Sequence, residues 1–301
     1  MGPAPTAWWT GSAASSSSSP EAPALPRTGR DGFLGLAFER RGGRTVLTER
    51  RFTLPLQALE PVDLDGTGAA TLFLLNPTGG LLGGDRLETC VELGAGSRVC
   101  LSTPSATRVY RSAGLPAVQR VTFHVGEGAA LEYLPDHVIP SPGSRLIQSV
   151  LLDLAPGAVA ILCDAWAAGR AARGEAWRFD LLDSSTTARD REGLLFKDHV
   201  VLGGKPGWGG LGAAEGMAYV ATVSCLAPAH ADIDTLDAAL AATLASPASG
   251  VTAGVTALAR GGVVARILAP SAPALQRAVE ASWATCRHHL WGLSPLALRK
   301  L

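Results

Sequence analysis

The sequence predicts a mainly β protein: stacked β-sheets or β-helix-like layers, with two helices at the C-terminal end. Three observations carry this expectation. Glycine and proline number 35 and 20 of 301 residues, and both are poor in helix interiors. Hydrophobicity alternates with a period of two over much of the chain. A strand–turn–strand unit then recurs three times, about thirty residues apart.

Residues 1–30 are rich in Ser, Ala, Pro and Gly and bury too little apolar surface to offset ordering entropy. They read as a disordered tail, with Trp8 and Trp9 as an accidental pair or a short docking motif. Residues 31–301 read as a single β-rich domain. Phe33 to Phe38 suggest a strand that ends before the turn Gly42-Gly43, and Thr45 to Leu54 restart an extended pattern. Thr71 to Leu75 form an apolar run too short for a helix. The repeat aligns on Gly96, Gly128 and Gly157, which are 32 and 29 residues apart. Three residues beyond each glycine stand Val99, Leu131 and Ala160; five beyond stand Leu101, Tyr133 and Leu162. Glycine suits such turns because it tolerates positive φ. The segments Glu88–Leu93, Gln119–Val125 and Leu146–Leu154 upstream of the turns are also extended in pattern, so the layers should span about residues 70–210. A first helix follows, capped by Asp232 or Asp234, with Leu236, Leu240 and Leu244 on one face and Pro247 beyond its end. Val251–Leu258 and Val263–Leu268 read as a hairpin around Gly261-Gly262. The second helix opens at Ser271 or Pro273 and carries Leu275, Val279, Trp283, Cys286 and Leu290 as its apolar stripe. Arg287, His288 and His289 occupy its last turn, where the helix dipole favours cations.

Composition narrows the function. Hydrophobic residues at 47% and charged residues at 17% exclude a wholly disordered chain. Twenty-six basic residues balance 26 acidic ones, so no global charge draws the chain to nucleic acid or an anionic membrane. Five cysteines without close spacing suit buried free thiols, not a disulfide framework or a zinc ribbon. The sequence offers neither a transmembrane run nor a signal peptide, and the expected address is the cytoplasm.

The glycine-rich segment Asn76-Pro-Thr-Gly79-Gly80-Leu-Leu-Gly83-Gly84-Asp85 superficially resembles a phosphate loop. Asp85 stands where a lysine is needed, and a carboxylate there repels phosphate. What remains is a double turn presenting Asp85, as a turn cap or a ligand contact. Glu132-Tyr-Leu-Pro-Asp136-His137 leaves a strand with an acid beside a histidine, an arrangement for metal binding or proton transfer, or simply an exposed turn. Asp164 precedes Gly169-Arg170-Ala-Ala-Arg-Gly-Glu175, which reads as an ion-pair loop or a buried polar constellation. His288 and His289 are adjacent on a helix and point apart. With no activated nucleophile, cofactor fingerprint or tight metal cage in the pattern, a non-enzymatic scaffold is expected.

Five segments taken in order resemble the urease accessory protein UreD (UreH) family: Asn76–Asp85, Thr103-Pro-Ser-Ala-Thr-Arg108-Val-Tyr110-Arg-Ser112, Leu131–His137, Gly143-Ser-Arg145 and Gly169–Glu175. The Ser-rich tail and the end Leu290–Leu301 depart from the family pattern. The resemblance implies a chaperone-like protein that binds urease structural subunits. It would recruit the GTPase UreG through UreF and help deliver Ni²⁺, with no tightly bound cofactor. It also implies a distorted stacked-sheet fold with two helices. A protein that hands Ni²⁺ onward should hold it weakly, through separated carboxylates and imidazoles. On that reading Asp85, Glu132, Asp136, His137, Asp164 and Glu175 are expected on a transient nickel path. Asn76, Gly79, Gly80, Gly83, Gly84, Arg108, Tyr110 and Arg170 are expected to shape loops or contact a partner. The alternatives are a docking scaffold without a nickel path, or a β-solenoid hydrolase using paired carboxylates such as Asp136 and Glu175.

Overall fold

A computed structural model describes residues 29–203, 208–230, 233–245 and 250–298. Most of the expected tail, with Trp8 and Trp9, lies outside the described residues, as do Asp232, the Asp234 side chain and Pro247. In chain order the strands are β1 (Asp31–Arg41), β2 (Arg44–Thr53), β3 (Gln57–Ala58), β4 (Ala70–Leu75), β5 (Arg86–Leu93), β6 (Arg98–Ser102), β7 (Thr107–Val109), β8 (Ala117–Val125), β9 (Ala130–Leu134), β10 (Val138–Pro140), β11 (Arg145–Leu154), β12 (Val159–Ala167), β13 (Gly169–Arg170), β14 (Glu175–Ala176), β15 (Leu181–Asp190), β16 (Gly193–Gly203) and β17 (Tyr219–Leu226). Helix α1 (Ile233–Leu244), strands β18 (Thr252–Ala257) and β19 (Gly262–Ala269), and helix α2 (Ala272–Trp291) complete the chain.

The chain coils between two sheets. The first has the order β16-β15-β11-β8-β5-β1-β2, parallel from β1 to β15 with antiparallel edges. The second runs β18-β19-β17-β12-β9-β6-β4-β3; β4, β6, β9 and β12 are parallel, and β17, β19 and β18 extend the sheet antiparallel. Each of the three sequence repeats is one coil, from a strand of the first sheet across a tight turn into a strand of the second. Gly96, Gly128 and Gly157 sit in those turns at φ 66°, 61° and 71°. The turns stack by hydrogen bonds from the Gly96 amide to the Glu127 carbonyl (2.8 Å) and from the Gly128 amide to the Pro156 carbonyl (3.0 Å). The expected stacked layers and C-terminal helices are therefore present, and the expected hairpin is β18–β19.

Two cores follow from strand alternation. Between the sheets, register aligns Val91, Phe123 and Leu152 from one side and Val99, Leu131 and Ala160 from the other. The opposite face of the second sheet packs Cys100, Ile161, Cys163 and Cys225 under the helices, whose Leu236, Leu240, Leu244, Leu275, Trp283, Cys286 and Leu290 face inward. All five cysteines are free, and all but the half-buried Cys90 are buried. Helix α2 starts where Ser271 Oγ accepts the Ala274 amide and ends where Gly292, at φ 64°, turns the chain. Strand β17 escaped the periodicity reading because both its faces are covered along most of its length, so it does not alternate.

Candidate functional site

The inter-sheet core changes character along one register row. Leu87 of β5 aligns with Gln119 of β8, then Gln148 of β11, then Ser184 of β15. Side chains in one row share a face, so this inward row turns from apolar to polar. Beside it the two sheets enclose a cavity of about 60 Å³, lined in part by Gln119, Asp136, Gln148, Asp164, Asp198 and Thr222. Asp164 projects inward from β12. Its Oδ1 accepts from Gln148 Nε2 at 2.9 Å and its Oδ2 from Ser184 Oγ at 2.6 Å. Burial pushes the Asp164 carboxyl up, reinforced by the charge of Asp198 and opposed by these two hydrogen bonds. Asp198 on β16 is held by Arg266 of β19 and by Thr222 of β17, whose hydroxyl lies 3.5 Å away. The enclosed Tyr133 phenol is also pushed up, first by burial and then by the Asp164 charge.

At the rim, Asp136 and His137 follow β9. Asp136 Oδ1 accepts from the His137 amide and meets His137 Nδ1, both at 2.9 Å. Thr103 Oγ1 accepts the Asp136 amide at 2.8 Å and anchors the turn to the neighbouring coil. Asp136 borders a second cavity of about 110 Å³ between the second sheet and α2, where His137, Cys163, Gln276 and Glu280 also face. The Asp–His pair thus stands where the two spaces adjoin.

The other acids expected on a nickel path do not share this interior. Glu132 is on the opposite face of its strand from Tyr133, under α2. It accepts from Trp283 Nε1, and both its oxygens accept from Arg287 Nη1 at 2.8 Å. Arg287, 2% exposed, also pairs with Asp65 through Nη2. The sequence reading gave Arg287 to the helix dipole; it is instead the centre of a buried ion-pair network, and Asp65 was not anticipated at all. Asp85 is buried with both carboxylate oxygens engaged, Oδ1 by the Arg30 amide (2.9 Å) and Oδ2 by the Leu82 amide (2.8 Å). It closes the glycine-rich loop. Glu175 pairs with Arg170 Nε across β13–β14 and lines neither cavity.

The glycine-rich loop is built for close approach. A Cβ on Gly80 would lie 2.5 Å from the Arg108 carbonyl and 2.8 Å from the Tyr110 ring, and one on Gly83 would lie 2.4 Å from Ser112 Oγ. Gly79 and Gly84 adopt φ 79° and 88°. Asn76 Oδ1 accepts from Thr78 Oγ1 (2.6 Å), the Arg108 carbonyl accepts the Leu81 amide (2.8 Å), and the Tyr110 hydroxyl donates to the Gly79 carbonyl (3.2 Å). The loop is thereby sewn to the segment Thr107–Ser112.

Among the described residues no group of three or more His, Cys, Asp or Glu side chains is arranged to hold a metal ion. Nor, among the described residues, is any helix long and apolar enough to cross a membrane. The polar inward row had one sequence signal, glutamine and serine at positions where a strand repeat predicts apolar residues. Asp198 and Thr222 had none, because their place depends on strands brought together from distant sequence.

Comparison with known proteins agrees with the segments that suggested the family. The chain matches the family described as UreD urease accessory protein over residues 30–300. It is 38% identical over 279 residues to the urease accessory protein UreD of Deinococcus radiodurans, covering 92% of this chain and 97% of that protein. It is 38% identical over 251 residues to that of Mycolicibacterium gilvum, covering 82% and 90% of the two chains. With that of Ralstonia nicotianae the identity is 34% over 295 residues, covering 93% and 98%. A match that spans the whole coiled domain, loops and helices included, places this chain in the UreD family of urease accessory proteins.

Proposed function

We propose that this chain acts in urease maturation: it binds urease apoprotein, bridges it through UreF to UreG, and passes Ni²⁺ as cargo toward the urease active site without turning over a substrate itself. One observation carries the reading beyond family membership. The cavity between the sheets sets polar groups among an apolar lining, and its acids, Asp164, Asp198 and the rim residue Asp136, are each already engaged by protein groups. Such groups offer a passing cation one or two weak oxygen ligands at a time, whereas a preformed cage of imidazoles and thiolates would retain it. The raised carboxyl of Asp164 fits this use, since a cation entering beside it compensates a charge that burial disfavours. His137 contributes an exchangeable imidazole at the rim. Asp85, Glu132 and Glu175, committed elsewhere, serve the fold and its docking loops.

The test is complementation in cells that carry the cognate urease operon with this gene deleted, reading urease activity and nickel per active site. Restored activity with filled sites and co-purification of urease, UreF and UreG supports the reading. A soluble chain that co-purifies with urease yet leaves the sites empty supports a docking scaffold. The carboxylate pair named for the hydrolase alternative is not brought together: Asp136 lines both cavities and Glu175 lines neither.

A further inference from the structure

Among the described residues, the four end strands of the two large sheets are not equivalent. Strand β2 carries Arg44, Glu49, Arg50 and Arg51, and its ladder with β1 is broken by a bulge at Ala37/Phe38. Strand β16 carries Lys197, Asp198 and His199, with a bulge at Ala188/Arg189 in its partner β15. Strand β3 has two residues. Charge, bulges and shortness are the devices that keep an edge from recruiting another strand. Strand β18 has none of them. Its sequence is Thr-Ala-Gly-Val-Thr-Ala, without charge or proline, and every residue but the partly buried Val255 is exposed. It pairs with β19 alone, in unbroken register. Among the described residues, its outward backbone groups make no hydrogen bond.

A second feature lies at the same edge. Helix α1 packs over β18 and β19, and α2 packs further in, over β17, β19 and β12. The Thr243 hydroxyl of α1 meets Thr285 of α2 at 3.0 Å and fixes which side of α1 faces α2. At about 100° per residue, Ala241 lies on nearly the opposite side. Ala238, Ala241 and Ala242 are all exposed. The outer helix therefore offers the small side chains of Ala238, Ala241 and Ala242 beyond the edge, beside the half-buried Asp237 one turn before Ala241.

We propose that the β18 edge is a self-association surface, where a second copy of this chain adds its own β18 antiparallel and continues the second sheet across a twofold axis. Centring the axis on Gly254 sets Thr252 opposite Thr256 of the second copy on one face, and Ala253 opposite Val255 on the other. Each strand face then meets a chemically matching one, and the paired strands carry no charge to oppose. The same axis brings the alanine side of α1 toward its counterpart. An uncharged edge on a chain of formal net charge zero is complementary to itself, whereas the charged edges β2 and β16 are not.

The test uses the full chain, purified alone and followed by sedimentation equilibrium over a wide concentration range. The expected wild-type result is a reversible monomer–dimer equilibrium. The doubly substituted Thr252→Lys/Thr256→Lys chain sets lysine against lysine twice across the axis, and its association should weaken about tenfold or more. Thr252→Glu/Thr256→Lys sets glutamate against lysine in the same geometry and should associate at least as well as the wild type. All these positions are exposed, and the circular dichroism spectrum confirms that each variant is folded. A wild-type chain that stays monomeric at every concentration overturns the proposal, and so does a lysine pair that associates as tightly as the wild type. An edge that instead takes an extended segment of a different protein gives the first of these results.

Discussion

Replacing Arg287 by methionine should destabilise the protein by about 3–5 kcal/mol, the range for removing one partner of a buried, hydrogen-bonded ion pair. The site meets that description. Arg287 is 2% exposed and Glu132 is 6% exposed at the side chain, and methionine keeps the apolar volume while removing every donor. The loss has an identifiable origin. Burial already pushes the Glu132 carboxyl up although Arg287 and Trp283 pull it down, so desolvation outweighs the pair even in the wild type. Without Arg287 the carboxylate keeps the hydrogen bond from Trp283 Nε1 but loses its ion pair. A carboxyl whose folded pKa is raised stabilises the fold below its unfolded pKa, and that contribution disappears as pH rises through the folded pKa. The Arg287→Met deficit should therefore be largest at neutral pH and shrink as the medium is acidified toward the ordinary glutamate range. The assay is urea unfolding at several pH values, with thermal unfolding in parallel. A drop of about 5–9 °C in Tm corresponds to that energy for a chain of this size. Replacing both partners, Glu132→Leu/Arg287→Met, should restore much of the loss, because no uncompensated charge is then buried. A deficit below about 1 kcal/mol, or a double variant no better than Arg287→Met, would refute the reasoning.

Gly80→Ala should cost about 2 kcal/mol or more, because its Cβ meets the Arg108 carbonyl at 2.5 Å, whereas Gly128→Ala, with open space around it and φ 61°, should cost only about 1–2 kcal/mol; chemical denaturation separates them. Tyr110→Phe removes one partly exposed hydrogen bond to the Gly79 carbonyl and should shift stability by about 1 kcal/mol or less in the same assay. Asp164→Asn should leave stability unchanged in acid and match or exceed the wild type as pH rises, because the wild-type carboxyl is raised by burial and loses stability on ionising; pH-dependent unfolding checks the sign. Glu175→Gln removes a partly exposed ion pair with Arg170 outside both cavities, and urease activation in the complemented strain should stay near the wild-type level.

Much of the fold could be read from the sequence because it is repetitive. Gly96, Gly128 and Gly157 recur at the turns, and the strands on either side alternate, so each coil announces itself locally. Helix α2 was legible for the same reason: its serine cap, proline and apolar stripe all lie within twenty-odd residues. The family resemblance came from loops, which the fold sews together through the tight contacts of Gly80 and Gly83. The candidate site was less legible. Asp136, His137 and Asp164 stood out as residue types, and the structure brings them to one region. Asp85, Glu132 and Glu175 looked equivalent in sequence, yet backbone amides, Arg287 and Arg170 respectively occupy them. Whether an acid lines the inter-sheet space or closes a loop or ion pair elsewhere depends on partners up to 155 residues away, as with Glu132 and Arg287. No local pattern encodes such distances. Arg287 shows the converse: at a helix end it looks like a surface cation, and only the packing of α2 over the second sheet, with Glu132 and Asp65 as its partners, makes it a core residue.

The most direct measurement of the central claim is nickel per urease active site in the deletion strain complemented with Asp164→Leu, which removes the polar step in the middle of the interior while keeping the branched shape of the side chain. The complex with urease, UreF and UreG is isolated alongside to verify that assembly is unchanged. Nickel passage through the inter-sheet space predicts intact complexes with urease sites left largely empty. Intact complexes with wild-type nickel content and activity would contradict it and leave the chain a docking scaffold.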